Sequence, residues 1–273
     1  MKIFLQILLL KFFISGLLNL YPAAAQSTRD THNKKTEFSL SIGEELVYVV
    51  KYAFLNLGEV KFHVKASTVI EGKEVVETIA YMDSYEGLPF VDLHQEYHSY
   101  IDTNFYPVKF LGLMFDEDTN FVKYIFKSDS LIKITKGDYN SEKIKFDSTA
   151  SVNRKFQDGL SILFYARKFV GLDTTFLIPC FVNEKEEKTE INFYSDSESV
   201  EIDDIDYEIN CLKIDGRTDF VSVYGLTGDF EGWFSNDIHS VPIKAKMNVI
   251  IGSVTLELIK WDKKNWNPPK FIN

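Results

Sequence analysis

The sequence predicts a mostly β fold, a sandwich or barrel-like sheet of antiparallel strands with one central helix laid on it. Three observations predict it. Runs of β-branched and aromatic residues recur at short, regular spacing between turn signals. One segment breaks that pattern with a helical period. The chain also carries 23 Phe, 14 Tyr and 3 Trp, enough rings to fill the core of a wide sheet.

The chain opens with Lys2, a mostly apolar run from Ile3 to Leu20 broken by Lys11, and Ala23-Ala24-Ala25 before Gln26. That is the layout of a secretory signal peptide over 1–25. Lys11 and the small-residue site argue for cleavage over a transmembrane anchor, and no cysteine follows to take a lipid. No later run is long and apolar enough to span a bilayer as a helix. Residues 26–37 are polar and unpatterned and read as a flexible lead-in. A single β-rich domain is expected over 38–265, because no clean linker divides it.

Within that domain, 45–52 is β-branched and aromatic. In 57–66 Val60, Phe62, Val64 and Ala66 face one way and Lys61, His63 and Lys65 the other, the period of a strand with one wet face. A turn at 70–73 leads to a strand over 74–81. Further strands are expected near 92–102, 105–115, 120–127, 130–136 and 141–147. The second half should hold strands near 175–182, 188–195, 198–202, 206–215, 218–226, 229–236, 240–250 and 252–261. Pro179 marks an edge or a bulge, since it cannot donate to a ladder. Between the halves, Phe156, Leu160, Leu163 and Phe164 share one helical face in 156–169. Asp158 suits the N-cap, because its carboxylate can accept the orphan N–H groups of the first turn. Gly171 can end the helix. Asp158 and Arg167 are nine positions apart, about 2.5 turns, so they lie on roughly opposite faces. We expect Asp158 to cap and Arg167 to reach an acceptor on the sheet.

Losing the leader with Lys2 and Lys11 takes the formal net charge from −10 to −12. An acidic surface repels phosphate backbones, so nucleic acid is not an expected partner. Two readings of Cys180 and Cys211 stand: a disulfide, favoured by an oxidising compartment, or two buried thiols.

Catalytic and metal patterns are weak. Ser235, Asp237 and His239 hold the residue types of a hydrolase triad, but no Gly-x-Ser-x-Gly elbow surrounds Ser235. Residues 236–239 instead suit a hairpin turn, since Asn and Asp bond nearby backbone. His94 and His98 are four apart, as in a helical zinc pair. In a strand that spacing is ~13 Å, too far to share a metal, so His94, Glu96, His98 and Tyr100 should line a polar, wet face. The acidic run Glu198, Glu201, Asp203, Asp204, Asp206, Glu208 lacks the spacing of a calcium loop and reads as a solvated strand edge. No phosphate-binding glycine loop or dinucleotide fingerprint is present, so no cofactor is expected.

Three motifs in order carry a resemblance. Gly43-Glu44-Glu45-Leu46-Val47-Tyr48 is followed by Tyr52 and Leu57-Gly58. Asp158-Gly159-Leu160-Ser161-Ile162-Leu163-Phe164-Tyr165-Ala166-Arg167 stands in the middle. Gly232-Trp233-Phe234-Ser235-Asn236-Asp237 precedes Pro242. Behind a signal peptide, this series resembles the exported bacterial domain-of-unknown-function family 3108. His239 stands where the family pattern leads us to expect a basic residue. The resemblance covers most of the mature chain and brings no accepted chemistry. It implies export into a Gram-negative envelope, in the periplasm or at the outer membrane, and a largely antiparallel sheet. Asp158, Arg167, Trp233 and Asp237 are then motif positions with structural roles. By analogy of fold, the large antiparallel sheet should curve into a half-barrel of the lipoprotein-carrier type. The expected function is non-enzymatic: binding of a lipid or other apolar ligand, or of an envelope partner, in a sheet cavity. The alternatives are an assembly partner without a small ligand, and a serine hydrolase using Ser235.

Overall fold

The computed structural model describes residues 38–88, 92–115, 119–127, 129–221, 226–249 and 252–272. The signal peptide and lead-in expected over 1–37 lie outside them. The strands are β1 (Glu45–Tyr52), β2 (Leu55–Ile70), β3 (Lys73–Ser84), β4 (His94–Asp102), β5 (Pro107–Phe115), β6 (Thr119–Lys127), β7 (Leu131–Asp138) and β8 (Lys143–Ser151). Helix α1 (Ser161–Arg167) follows, then β9 (Thr174–Val182), β10 (Lys185–Val200), β11 (Ile209–Thr218), β12 (Leu226–Ser235), β13 (Pro242–Val249) and β14 (Ser253–Asp262).

All fourteen strands form one antiparallel sheet in the order β8-β7-β6-β5-β4-β3-β2-β1-β14-β13-β12-β11-β10-β9. The first and last strands pair at its middle, Glu45 opposite Asp262 and Lys51 opposite Thr255. Two meanders run outward from that seam, and the segment holding α1 joins their outer edges. Pro179 sits on the edge strand β9, where its missing donor costs no ladder bond on the free side.

The sheet is not closed by a β8–β9 pairing, but it curls until its two halves touch. Glu184, in the β9–β10 hairpin, accepts hydrogen bonds from Tyr124 Oη on β6 (2.9 Å) and Lys136 Nζ on β7 (2.8 Å). The Phe181 and Tyr124 rings meet edge-on at 5.3 Å. Helix α1 lies inside the curl. Leu160 and Phe164 bury against Tyr97, Phe110 and Tyr124 of one meander. Ala166 packs with Ile178, Phe193 and Leu212 of the other. Full burial of a side chain like Phe164 stabilises by ~1.5–3 kcal/mol, so α1 is held by packing more than by its own short length.

Three sequence expectations change. The strands expected at 188–195 and 198–202 are one strand, β10, with a register shift between Phe193 and Ser197. The strand expected over 218–226 is not found in its described part: β11 stops at Thr218 and the chain bends at Asp219–Phe220, while 222–225 lie outside the described residues and β12 begins at Leu226. The helix is shorter than 156–169 because its expected first turn is bound to β9. Gln157 N–H donates to Pro179 O (2.9 Å), and Phe181 N–H donates to Gln157 O (2.8 Å). Those bonds keep the backbone extended up to Asp158. Gly171, at φ +83°, takes the left-handed conformation just past the helix.

Candidate functional site

Two features stand out inside and at the end of the curl: a buried polar cluster at one end of the sheet, and an apolar cavity running toward the other.

The polar cluster centres on Glu44, just before β1. Arg167, the last residue of α1, donates to both carboxylate oxygens, Nη1 to Oε1 at 2.5 Å and Nη2 to Oε2 at 3.1 Å. Lys263 Nζ, just after β14, donates to Oε2 at 2.7 Å and to Ser41 Oγ at 3.0 Å. Arg167 also donates to the carbonyls of Ser240 (3.1 Å) and His239 (3.0 Å) and stacks over Phe38, 4.8 Å from the ring centroid. Glu44, Arg167 and Lys263 are all buried. Burial alone would raise the Glu44 carboxyl pKa. The two cations overcome it and hold the group at about 2. The acceptor expected for Arg167 is thus a carboxylate ahead of the sheet together with a turn, 123 residues away in sequence.

Asp158 is fully buried, and its carboxylate accepts from the Leu160 N–H (2.8 Å), the Ser161 N–H (2.7 Å) and Ser99 Oγ on β4 (2.6 Å). Asp158 N–H donates back to Ser161 Oγ (2.9 Å), a reciprocal capping arrangement. It therefore satisfies the helix start and ties it to β4, although the residue at the formal N-cap position is Leu160. Burial pushes its carboxyl up to about 6, against those hydrogen bonds.

Ser235, Asp237 and His239 form the β12–β13 turn. Ser235 is fully buried. Its hydroxyl donates to Asp237 Oδ1 (3.0 Å) and accepts from Val241 N–H (2.8 Å). Asp237 Oδ1 also accepts from the His239 N–H (2.8 Å) and Ser240 N–H (3.2 Å), and Oδ2 from Trp266 Nε1 (2.8 Å). A nucleophile needs an exposed oxygen facing a base. Here the oxygen is enclosed and its bonds are taken, so the residues that suggested a triad build a turn. Trp233 lies on β12 with its indole N–H on Glu198 (2.9 Å) and Lys213 and Lys246 flanking its ring.

The cysteines are both free and buried. A bridge between them is excluded by register. Cys180 on β9 stands opposite Glu187 of β10, and Cys211 on β11 stands opposite Glu198 of the same strand. Even with the bulge at 193–197 shortening the path, the span from Glu187 to Glu198 at ~3.3 Å per residue is on the order of 30 Å, far beyond the ~7 Å a disulfide tolerates. Burial pushes the Cys180 thiol up to about 12.

His94, Glu96, His98 and Tyr100 share a face of β4, but that face is not wholly wet: His98 is buried. Its ring nitrogens meet Glu77 (2.9 Å) and Glu96 (2.6 Å), and Tyr100 Oη donates to Glu77 (2.9 Å). The acidic run 198–208 is the end of β10 and its connection to β11, with Asp203 paired to Lys51 at 2.6 Å. Among the described residues no His, Cys, Asp or Glu group is arranged to hold a metal ion.

The cavity has a volume of about 280 Å³. Its floor is Ile162, Leu163 and Ala166 of α1, with Tyr48 and Pro242 beside them. Its walls are inward residues of both meanders, among them Phe62, Met82, Ile191, Ile214, Phe230 and Leu256. Near the strand ends it reaches Leu57, Leu93, Phe220, Val249 and Val254. Exposed apolar side chains surround that end: Phe54 (91% exposed) at the β1–β2 hairpin, with Leu55, Tyr85, Leu93 and Val221. Sequence reasoning expected aromatic rings to line a cavity; the lining is mainly aliphatic, with Tyr48, Phe62, Phe220, Phe230 and Phe234 among it, and its members could not be placed because the volume depends on how tightly the sheet curls. No helix among the described residues is long and apolar enough to cross a membrane.

Residues 47–259 match the model of the family described as Protein of unknown function (DUF3108). Among solved structures, the chain is similar to a β-barrel-like protein of domain of unknown function DUF1849 from Brucella abortus. That likeness has a TM-score of 0.52 at 10% identity, over 81% of this chain and 97% of the other. A Bacteroides fragilis protein with a YmcC-like fold matches over 83% of this chain and 98% of its own, at 9% identity and a TM-score of 0.32, too low to carry an argument. No curated protein matches the chain. The first structural likeness shows the fold alone, and the family match covers most of the sheet. The chain belongs to the DUF3108 family.

Proposed function

We propose that this DUF3108 protein is an exported cell-envelope protein, one domain over 38–265, that binds an apolar ligand in the cavity of its curled sheet and performs no chemistry on it. One observation carries the reading: a cavity of about 280 Å³ walled almost entirely by apolar side chains. Natural interiors hold few voids larger than a water molecule. An apolar cavity of ~150 Å³ already stays dry and takes up benzene, and small-molecule sites begin near ~300 Å³. The leader over 1–25 supports export. The enclosed Ser235 hydroxyl removes the main support for hydrolysis.

The test is native mass spectrometry and solvent extraction of the mature protein purified from its own host. We expect a stoichiometric apolar compound, lost in Ala245→Trp, which fills the cavity. A folded protein that carries nothing and displaces no hydrophobic fluorophore in the wild type ends the reading.

A second reading, an assembly partner without a small ligand, is favoured by the exposed apolar ring of Phe54, Leu55, Tyr85, Leu93 and Val221. Reproducible co-purification of one envelope protein without lipid would favour it.

A further inference from the structure

A second cavity, of about 200 Å³, lies beside the first. Its wall is Tyr97, Phe110, Met114, Val122 and Phe181, and the partly exposed Lys136 and Glu184 complete it. Gly159 and Val182 border both cavities. The end of β9 divides them. Cys180 lines the first and Phe181 the second, because successive side chains of a strand point to opposite faces. The packing follows the same division: Cys180 and Val182 belong to the apolar cluster around Phe193 and Leu212, Phe181 to that around Phe110 and Tyr124.

Both lobes run toward one end of the sheet. In this strand order every odd-numbered strand runs the same way, so the C-terminal ends of β3, β5, β7, β9 and β13 lie together. The first lobe reaches Ser84 and Val249, the last residues of β3 and β13. The second reaches Met114, next to last in β5, and Lys136, near the end of β7. The polar members of the second lobe answer one another: Tyr124 and Lys136 both donate to Glu184. What is left for a ligand there is an apolar wall. Neither lobe alone attains the ~300–1,000 Å³ of an ordinary small-molecule site, and the two together do.

Resting on the apolar-ligand reading above, we infer that the site takes a two-chain amphiphile, with one acyl chain in each lobe and the head group outside at the shared end. A single chain that filled both lobes would have to turn back on itself at Gly159. Two chains borne on one head enter side by side, and once the first is seated the second is presented to its lobe at a high effective concentration.

The experiment uses three phosphatidylcholines that share one head group: dihexanoyl, hexanoyl-lyso and dodecanoyl-lyso, each below its micellar concentration. Stoichiometry is read by native mass spectrometry of the mature protein, and affinity by displacement of a hydrophobic fluorophore. Ala245→Trp fills the first lobe alone. Met114→Trp fills the second alone, with Val122→Trp in its place if that variant misfolds. The wild type should bind one dihexanoyl molecule or two hexanoyl-lyso molecules, and the dihexanoyl lipid at least about a hundredfold more tightly. Filling either lobe should leave one hexanoyl-lyso molecule bound and bring the dihexanoyl affinity down to that level. If a folded second-lobe variant keeps the full dihexanoyl affinity while Ala245→Trp abolishes it, the apolar-ligand reading stands and the two-chain inference is wrong. If the dodecanoyl-lyso lipid matches the dihexanoyl one and is weakened equally by Met114→Trp, one chain turns back at Gly159 and the two-chain inference is again wrong. If no probe binds the wild type, or all bind the folded filled variants unchanged, both fall.

Discussion

Glu44→Gln keeps the shape of the side chain and removes the anion that two buried cations share. The structure gives the cost by two routes. The Glu44 carboxyl falls from its ordinary 4.5 to about 2, and each pKa unit is worth ~1.4 kcal/mol, so the charged form stabilises the fold by about 3 kcal/mol. Independently, removing one partner of a buried ion pair costs ~3–5 kcal/mol, because the remaining charge is stranded away from water. Both routes meet near 3 kcal/mol, and Glu44 is only 3% exposed, so solvent screening takes little from it.

The sign follows from the direction of the shift. A carboxyl whose folded pKa lies below its unfolded one contributes stability above the unfolded value, and that stability is lost as pH falls through the folded value. Urea unfolding of wild type and Glu44→Gln should therefore differ by about 3 kcal/mol near neutral pH. The difference should shrink as pH drops from 4.5 toward about 2. The double variant Glu44→Gln with Arg167→Met should lose less than the two single losses added together, because the stranded cation is gone. A neutral-pH difference under ~1 kcal/mol, or one that does not change with pH, would refute the reasoning and make the cluster a solvated surface pair in effect.

Further outcomes follow from the same geometry. Asp158→Ala removes the carboxylate that accepts from two backbone N–H groups at the start of α1 and should cost ~0.5–2 kcal/mol in thermal or urea unfolding. Because burial raises the Asp158 carboxyl to about 6, its stabilising contribution is present below the ordinary carboxyl pKa and lost as pH rises through 6. Asp158→Asn should therefore gain on wild type over that range. Cys180 and Cys211 should both alkylate in denaturant, stay unreactive in the native protein, and leave the Tm unchanged by reductant; a mass two hydrogens low would contradict the register. Ser235→Ala should cost ~1–3 kcal/mol, since it leaves the buried Val241 N–H without its acceptor. It should alter no esterase signal, and a serine-dependent activity would return the turn to the active-site reading.

The strands were legible where one face is buried, which writes a period of two into β2, and elsewhere through runs of β-branched and aromatic residues between turns. Legibility failed where the sheet departs from plain pairing. The β10 bulge interrupts the alternation at 193–197 and reads as a strand break. The first turn of the helical period at 156–158 is captured by β9 through backbone bonds that no side-chain pattern records. The Arg167–Glu44 pair spans 123 residues. Its one sequence signal is an arginine in the last turn of a segment otherwise too apolar to be wet. Asp237 was readable as a turn former because that role is local. Its bond to Trp266 was not, because it depends on the tail folding back past β14.

The two ends of the sheet are built on opposite principles, and this asymmetry links stability to the proposed binding. At one end the chain before β1, the end of α1, the β12–β13 turn and the segment after β14 converge on Glu44, Arg167, Asp237 and Lys263. Four distant stretches are fixed there by charge-assisted bonds that burial strengthens. At the other end stand the exposed apolar side chains of Phe54, Leu55, Tyr85, Leu93 and Val221. Local opening costs least where few buried contacts hold a segment. If the cavity admits its ligand from the apolar end, hydrogen exchange should be fast in the hairpins around Phe54 and Leu93 and slow in β1, β14 and α1, and a decyl maltoside-bound sample should gain protection at the apolar end alone. Protection gained around Arg167 and Asp237 instead would mean that the ligand enters through the charged end, and the orientation of the site would have to be reversed.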